Sequence, residues 1–349
     1  MKKMKKLLCI AIAAIMVLAL AACGSTNTQT SENGDPSSNP TSDPTASPSG
    51  GTNGETTAQY VVGICQQMTH DALDAATQGF KDALADILGE GAVTYSEGNA
   101  GGDQNNCTTI VDGLVSEGVD LILANATWPL QAARSATSEI PILGTSVTDY
   151  ATALNIENWT GTVGGNISGT SDLAPLDQQA AMIQELFPDA ENIGLLYCSG
   201  EPNSVYQIET ITGYLEDMGY TCKPYAFTDV NDLSSVTQTA CDNSDVIYIP
   251  TDNTAAGNTE TIANVVLAAG VPVVAGESGI CSGCGVATLS IDYYELGYTT
   301  GEMAAQILTG EADISAMAVE YAPNVTKMYN AANCETLGIT IPDGYEVIE

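Results

Sequence analysis

GVDLILANATWPLQAARSATSEIPILGTS, residues 118–146, decides the fold of this chain. Val119 to Ala124 is apolar except for Asp120 and rich in aliphatic residues, with Leu121 to Ala124 unbroken, the pattern of a strand buried on both faces, as parallel sheets require. A segment of helical spacing over 129–137 follows, and then a second apolar run, Ile140-Pro141-Ile142-Leu143-Gly144. Strand, helix and strand in this order form a crossover unit between parallel strands.

Working outward, the same grammar continues on both sides. Upstream, Tyr60 to Cys65 reads as a strand, and Leu73, Phe80, Leu84, Ile87 and Leu88 share one face of a helix. Ala92 to Tyr95 is the next strand, and 104–116 the next helix. Downstream the plan restarts. Ile193 to Cys198 is a strand, Ile208, Ile211, Leu215 and Met218 mark a helix face, and Tyr220 to Phe227 is extended. Asp245 to Ile249 parallels Asp120 to Leu123, and Val271 to Gly276 parallels Ile140 to Gly144.

These patterns predict an α/β fold of two doubly wound parallel-sheet lobes joined by a three-crossing hinge. Gly161 to Pro175 reads as the first crossing; the helix from Tyr293 to Leu308 returns to the first lobe, and Val319 to Pro323 crosses back. The expected divisions are 58–163 with 291–315 for the N-terminal lobe and 164–290 with 316–349 for the C-terminal lobe.

The beginning of the chain is of another kind. MKKMKK, an apolar run from Leu7 to Ala22 and the exit Leu20-Ala21-Ala22-Cys23 describe a secretory signal, too short for a spanning helix with polar flanks. The four residues ending at Cys23 resemble the lipobox of bacterial lipoproteins, which implies removal of residues 1–22 and lipidation of Cys23. Residues 23–57 carry no aliphatic or aromatic side chain able to build a core and read as a disordered Ser/Thr/Pro/Gly linker with a reach of roughly 30–35 Å. The expected location is therefore extracytoplasmic, lipid-anchored to the cell membrane.

The chain has 43 acidic against 8 basic residues, and four of the basic ones lie in the signal. Such a charge repels phosphate backbones and excludes nucleic acid as a partner. No GxSxG, HExxH or P-loop occurs, and His70 is the one histidine, so no enzyme, metal or cofactor is expected. His70 itself reads as a lip or capping residue. Cys281-Ser-Gly-Cys284 lacks a second CxxC or spaced histidines; a local disulfide is the preferred reading, with free thiols beside it.

Ligands of parallel sheets sit beyond the carboxyl ends of the strands. The first lobe places Gln67, Asn125, Thr127, Trp128, Thr145 and Ser146 there, and the second Asn203, Ser204, Tyr206, Asp252, Asn253 and Glu277. Hydroxyls and amides with two carboxylates suit an amino acid: Thr127, Thr145 and Ser146 for its carboxylate, Asp252 and then Glu277 for its ammonium. Trp128 or Tyr206 could supply an aromatic wall.

VGICQQMTHDALDAATQGFKDAL (62–84), NATWPLQAA (125–133), SGTSDLAPLDQQ (168–179), LYCSGEPNS (196–204) and DVIYIPTDNTAA (245–256) together resemble ABC-transporter substrate-binding proteins of the tryptophan/tyrosine type, with a type I periplasmic-binding-protein fold. The resemblance implies capture of a small solute, an aromatic amino acid first, for an ABC permease and its ATPase. A sugar or nucleoside ligand, or a surface receptor without transport, stands as the alternative.

Overall fold

The computed structural model describes residues 59–348 apart from residue 323. Cys23, the signal 1–22 and the linker 23–57 lie outside the described residues.

The first half runs β1 (Tyr60–Gln66), α1 (Asp71–Leu88), β2 (Val93–Asn99), α2 (Gln104–Glu117), β3 (Leu121–Asn125), α3 (Thr127–Ala136), β4 (Ile142–Val147), α4 (Tyr150–Leu154) and β5 (Ile167–Ser171). The second continues as α5 (Leu176–Leu186), β6 (Asn192–Cys198), α6 (Pro202–Asp217), β7 (Thr221–Phe227), α7 (Val230–Cys241), β8 (Val246–Ile249), α8 (Asn253–Ala256), α9 (Thr259–Ala269), β9 (Val273–Ala275), α10 (Ser278–Cys284) and β10 (Ala287–Ile291). Last come α11 (Tyr293–Leu308), β11 (Glu320–Tyr321), β12 (Val325–Tyr329), α12 (Ala331–Leu337) and β13 (Glu346–Val347).

Two sheets result, ordered β11-β5-β4-β3-β1-β2 and β13-β12-β10-β9-β8-β6-β7. Every pairing is parallel except β10 with β12. Both sheets reverse their winding beside the first strand of the lobe, between β1 and β3 and between β6 and β8. Loops at such a reversal diverge to opposite faces and leave a crevice. The central strands β3, β4 and β8 are buried along their whole length, which explains their unbroken apolar composition.

Local chemistry fixes the element ends. Asp103 opens α2 by accepting from the Asn105 N–H, and Gly118 closes it in the left-handed region at φ 75°. α11 returns to the first lobe because glycines let it approach α1 closely. A Cβ on Gly79 would fall on the Tyr294 carbonyl, and one on Gly301 would sit 2.6 Å from the Phe80 carbonyl.

Two expected boundaries move. Residues 167–171 are β5, hydrogen-bonded to β4 in the first sheet, so the first lobe runs past 163 and the crossing begins after Ser171. Likewise β11 pairs with β5, which keeps Glu320 and Tyr321 with the first sheet rather than with a second lobe beginning at 316. The Gly, Ser and Thr of 161–175 read as a crossing, but Ser168, Thr170 and Ser171 satisfy their hydroxyls on the Met317 carbonyl, Thr300 of α11 and the Thr148 carbonyl, so their polarity does not oppose strand formation.

Candidate functional site

The crevice between the lobes narrows to a small void of about 10 Å³ lined by His70, Ala72, Leu73 and Ser146 from the first lobe and by Asn203, Thr251, Asp252, Asn253, Ala256 and Glu277 from the second. Asp172 and Tyr293, the residues at two of the crossings, complete it. The lobes touch: His70 Nε2 lies 3.1 Å from Asn253 Oδ1, and the Thr148 and Thr251 hydroxyls are 3.4 Å apart.

Buried polar atoms without partners show where a ligand would bond, since an unmet buried donor or acceptor costs about 1–3 kcal/mol. Three of them belong to residues that line this one cavity: Ser146 Oγ, Asp172 Oδ1 and Asn203 Oδ1. Ser146 also has φ 54°, an uncommon backbone for serine that turns the chain at the carboxyl end of β4. A wider groove between α1 and β2 holds Gln66, Asp74, Lys81 and Glu97, but these side chains satisfy one another, with Lys81 2.6 Å from Glu97 and Gln66 bonded to Asp74 and Thr77.

The carboxylates divide by what already occupies them. Asp252, 1% exposed, accepts from the Cys198 N–H at 2.6 Å and from the Ala255 N–H at 2.8 Å, capping α8. Burial, and next the charge of Glu201, push its pKa up to about 7. Glu277 caps α10 through the Gly279 and Ile280 N–H groups, and burial raises its pKa too. Asp172 differs: Tyr293 Oη donates to its Oδ2 at 2.9 Å, while Oδ1 is open. Burial raises its pKa, against the neighbouring Thr148 hydroxyl and the bond from Tyr293. Beneath these, Glu201 accepts from the backbone and side chains of Asn253 and Thr254 and so shapes the 251–254 loop.

Of the residues the sequence pointed to, Ser146, Asn203, Asp252, Asn253 and Glu277 meet in the cavity. The others do not line it. Thr145 Oγ1 bonds to Thr170 Oγ1 at 3.2 Å, which joins Thr300, so this hydroxyl ties β4, β5 and α11 together. Asn125 holds the Leu73 carbonyl and Thr77, tying β3 to α1. Gln67 accepts from the Trp128 N–H at 3.3 Å, leaving its Nε2 without a partner. Thr127 is buried at the start of α3, and Ser204 is fully buried and accepts from Asn203. Trp128 packs on the first lobe's core with its ring edge near Gly200 across the crevice, and Tyr206 is half-buried outside the cavity. His70, read as a lip or capping residue, is the N-cap residue of α1 without a side-chain cap bond, and its ring meets Asn253 across the crevice.

Asp172 and Tyr293 escaped the sequence reading. Both stand just beyond the carboxyl ends of strands, β5 and β10, and recognising β5 would have brought Asp172 under the same strand-end rule. The expected Cys281–Cys284 disulfide is replaced by two free thiols. Both lie on α10, where residues three apart have Cβ atoms about 5–6 Å apart, beyond the roughly 3.5–4.5 Å a disulfide spans; Cys284 Sγ donates to the Ile280 carbonyl.

A family model described as ABC transporter substrate binding protein matches residues 61–347. A tyrosine-binding protein of Clostridioides difficile (strain R20291) is 30% identical over 321 residues, 89% of this chain and 86% of that protein. Among solved structures, an ABC domain from Streptococcus pneumonia in complex with L-Trp is 31% identical with a TM-score of 0.79, over 84% of this chain and all of that one. The ligand-free, open structure of a substrate binding protein with adhesive properties from Clostridium difficile is also 31% identical, over 83% of this chain and 99% of that one, but with a TM-score of 0.64.

Proposed function

The chain belongs to the ABC transporter substrate binding protein family, and from that premise we propose that it captures an aromatic amino acid, tyrosine, tryptophan or phenylalanine, between its lobes. Proteins of this family work outside the cytoplasm and bind a small solute. One observation carries the finer reading: three unpartnered buried polar atoms, one donor and two acceptors, converge on a single interlobe cavity. Asp172 Oδ1 and Asn203 Oδ1 accept from the ligand's ammonium, and Ser146 Oγ donates to its carboxylate. The names of the tyrosine-binding relative and of the L-Trp complex support this ligand class.

The lobes' contacts through His70–Asn253 and Thr148–Thr251 form the closed state, and the higher TM-score to the L-Trp complex than to the open structure at equal identity supports that reading. Closure makes each bond stronger by excluding water from the cavity. Delivery is to an ABC permease and its ATPase, with Cys23 as lipid anchor and residues 23–57 as tether, so that the trap stays near its permease. Two acyl chains suffice for stable anchoring.

Isothermal calorimetry against the twenty amino acids and a set of hexoses and nucleosides tests the ligand. Heat with an aromatic amino acid is expected. Heat with a sugar or nucleoside alone would replace the reading by its alternative.

A further inference from the structure

The cavity wall carries three carboxylates, Asp172, Asp252 and Glu277, each at most 4% exposed, and His70 is the one basic side chain on it. The four lysines and arginines among the described residues are elsewhere. Lys81 pairs with Glu97, Lys327 with Glu185, Arg134 donates to the Leu154 carbonyl, and Lys223 lies over the Tyr225 ring. An amino acid entering this cavity therefore brings two charges into unequal surroundings.

Its ammonium, with three donors, meets two open acceptors, one of them an ionisable carboxyl. Its carboxylate meets no lysine or arginine, and Ser146 Oγ is the single unpartnered side-chain donor on the wall. Asp252 and Glu277 share that wall and in their ionised forms repel a second anion, the more so where water is excluded. Burial favours their neutral forms, and the bonds they accept from backbone N–H groups act against it; a neutral carboxyl there still gives the ligand's carboxylate no cation to pair with.

We propose that the cavity recognises its ligand through the ammonium group, with the carboxylate dispensable, so that aromatic primary amines of the arylethylamine class are ligands of the same site. The inference rests on the reading that an aromatic amino acid's ammonium meets Asp172. It extends the ligand class from zwitterions to cations, and it excludes the corresponding deaminated acids, which would set an unpaired anion against the carboxylates.

Calorimetry on the full chain at pH 7 with tryptophan, tryptamine and indole-3-propionate, and with the tyrosine and phenylalanine counterparts of each, decides it. The expected result is that at least one amine binds with a Kd within about tenfold of its amino acid, while the deaminated acid gives no saturable heat. If every amino acid that binds does so more than tenfold more tightly than its amine, the inference is overturned and the proposed function stands. Binding of a deaminated acid as tightly as its amino acid overturns it as well. If the amines bind and none of the three amino acids does, the amino-acid reading fails and the amine reading is upheld; silence from all of them removes both.

Discussion

Replacing Asp172 by Asn separates a ligand-binding carboxylate from one that serves the fold. Asp172 keeps Oδ1 open inside a closed cavity, with Oδ2 held by Tyr293. The amide is nearly the same size and can still accept from the Tyr293 hydroxyl, so the fold has little reason to suffer. What disappears is the charge that faces the ligand's ammonium. Removing one partner of a buried, hydrogen-bonded charge pair costs about 2–5 kcal/mol of binding, which is about 30-fold to 5,000-fold in Kd.

Asp252→Ala is the informative contrast, because both oxygens of that carboxylate already serve backbone N–H groups. It loses a helix cap worth about 0.5–2 kcal/mol and strands the buried Cys198 N–H at about 1–3 kcal/mol. Its effect therefore falls on stability. Calorimetry gives the two Kd values, and urea unfolding followed by circular dichroism gives the two stabilities. A native-like Asp172→Asn protein with unchanged affinity, beside an Asp252→Ala protein that has lost binding, would refute the assignment and return the ammonium to Asp252.

Three other outcomes are expected. Asp172 binds an ammonium in its ionised form while burial raises its pKa, so affinity should increase as pH rises through that value, with proton release on binding at lower pH; calorimetry in buffers of different ionisation heat detects it. Without ligand the sign is opposite for stability: Asp252, raised from 3.8 to about 7, and Asp172 and Glu277, raised likewise, favour the fold while protonated. The Asp252 contribution is lost between about pH 4 and 7, and Asp252→Asn should flatten part of that fall in urea midpoints; an unchanged slope would count against the raised value. Gly79→Ala forces α1 away from the Tyr294 carbonyl and should destabilise by about 1–3 kcal/mol or more, with an unaltered denaturation midpoint contradicting the close approach. In denatured, unreduced protein, Cys281 and Cys284 should both take up iodoacetamide; a peptide two hydrogens light and unalkylated at both would reinstate the disulfide.

Closure gives these groups their leverage. Asp172 and Tyr293 stand where the chain passes between lobes, directly after β5 and at the first residue of α11. A ligand bonded to Asp172 thus engages the crossing itself, while Asn203 and Ser146 pull from opposite lobes. Trp128, conspicuous in the sequence, is partly buried against the first core, with its ring edge near Gly200 of the second lobe.

What the sequence determined by itself was the periodic and the compositional: buried parallel strands from apolar runs, two lobes from a repeated plan, and a strongly acidic surface from its charge. The strand-end rule found five of the cavity's residues, because it depends on chain direction alone. What only the tertiary structure decided was which side chains are already spent. Thr145 and Asp252 are indistinguishable in sequence from ligand contacts, yet one is bonded to Thr170 and the other to two backbone N–H groups. Asp172 lay hidden because β5 is written in Gly, Ser and Thr, whose hydroxyls find partners in β4's loop, α11 and the segment before β11. Local pattern reports burial and direction; the satisfaction of a polar atom depends on partners distant in the chain, and those are set by packing.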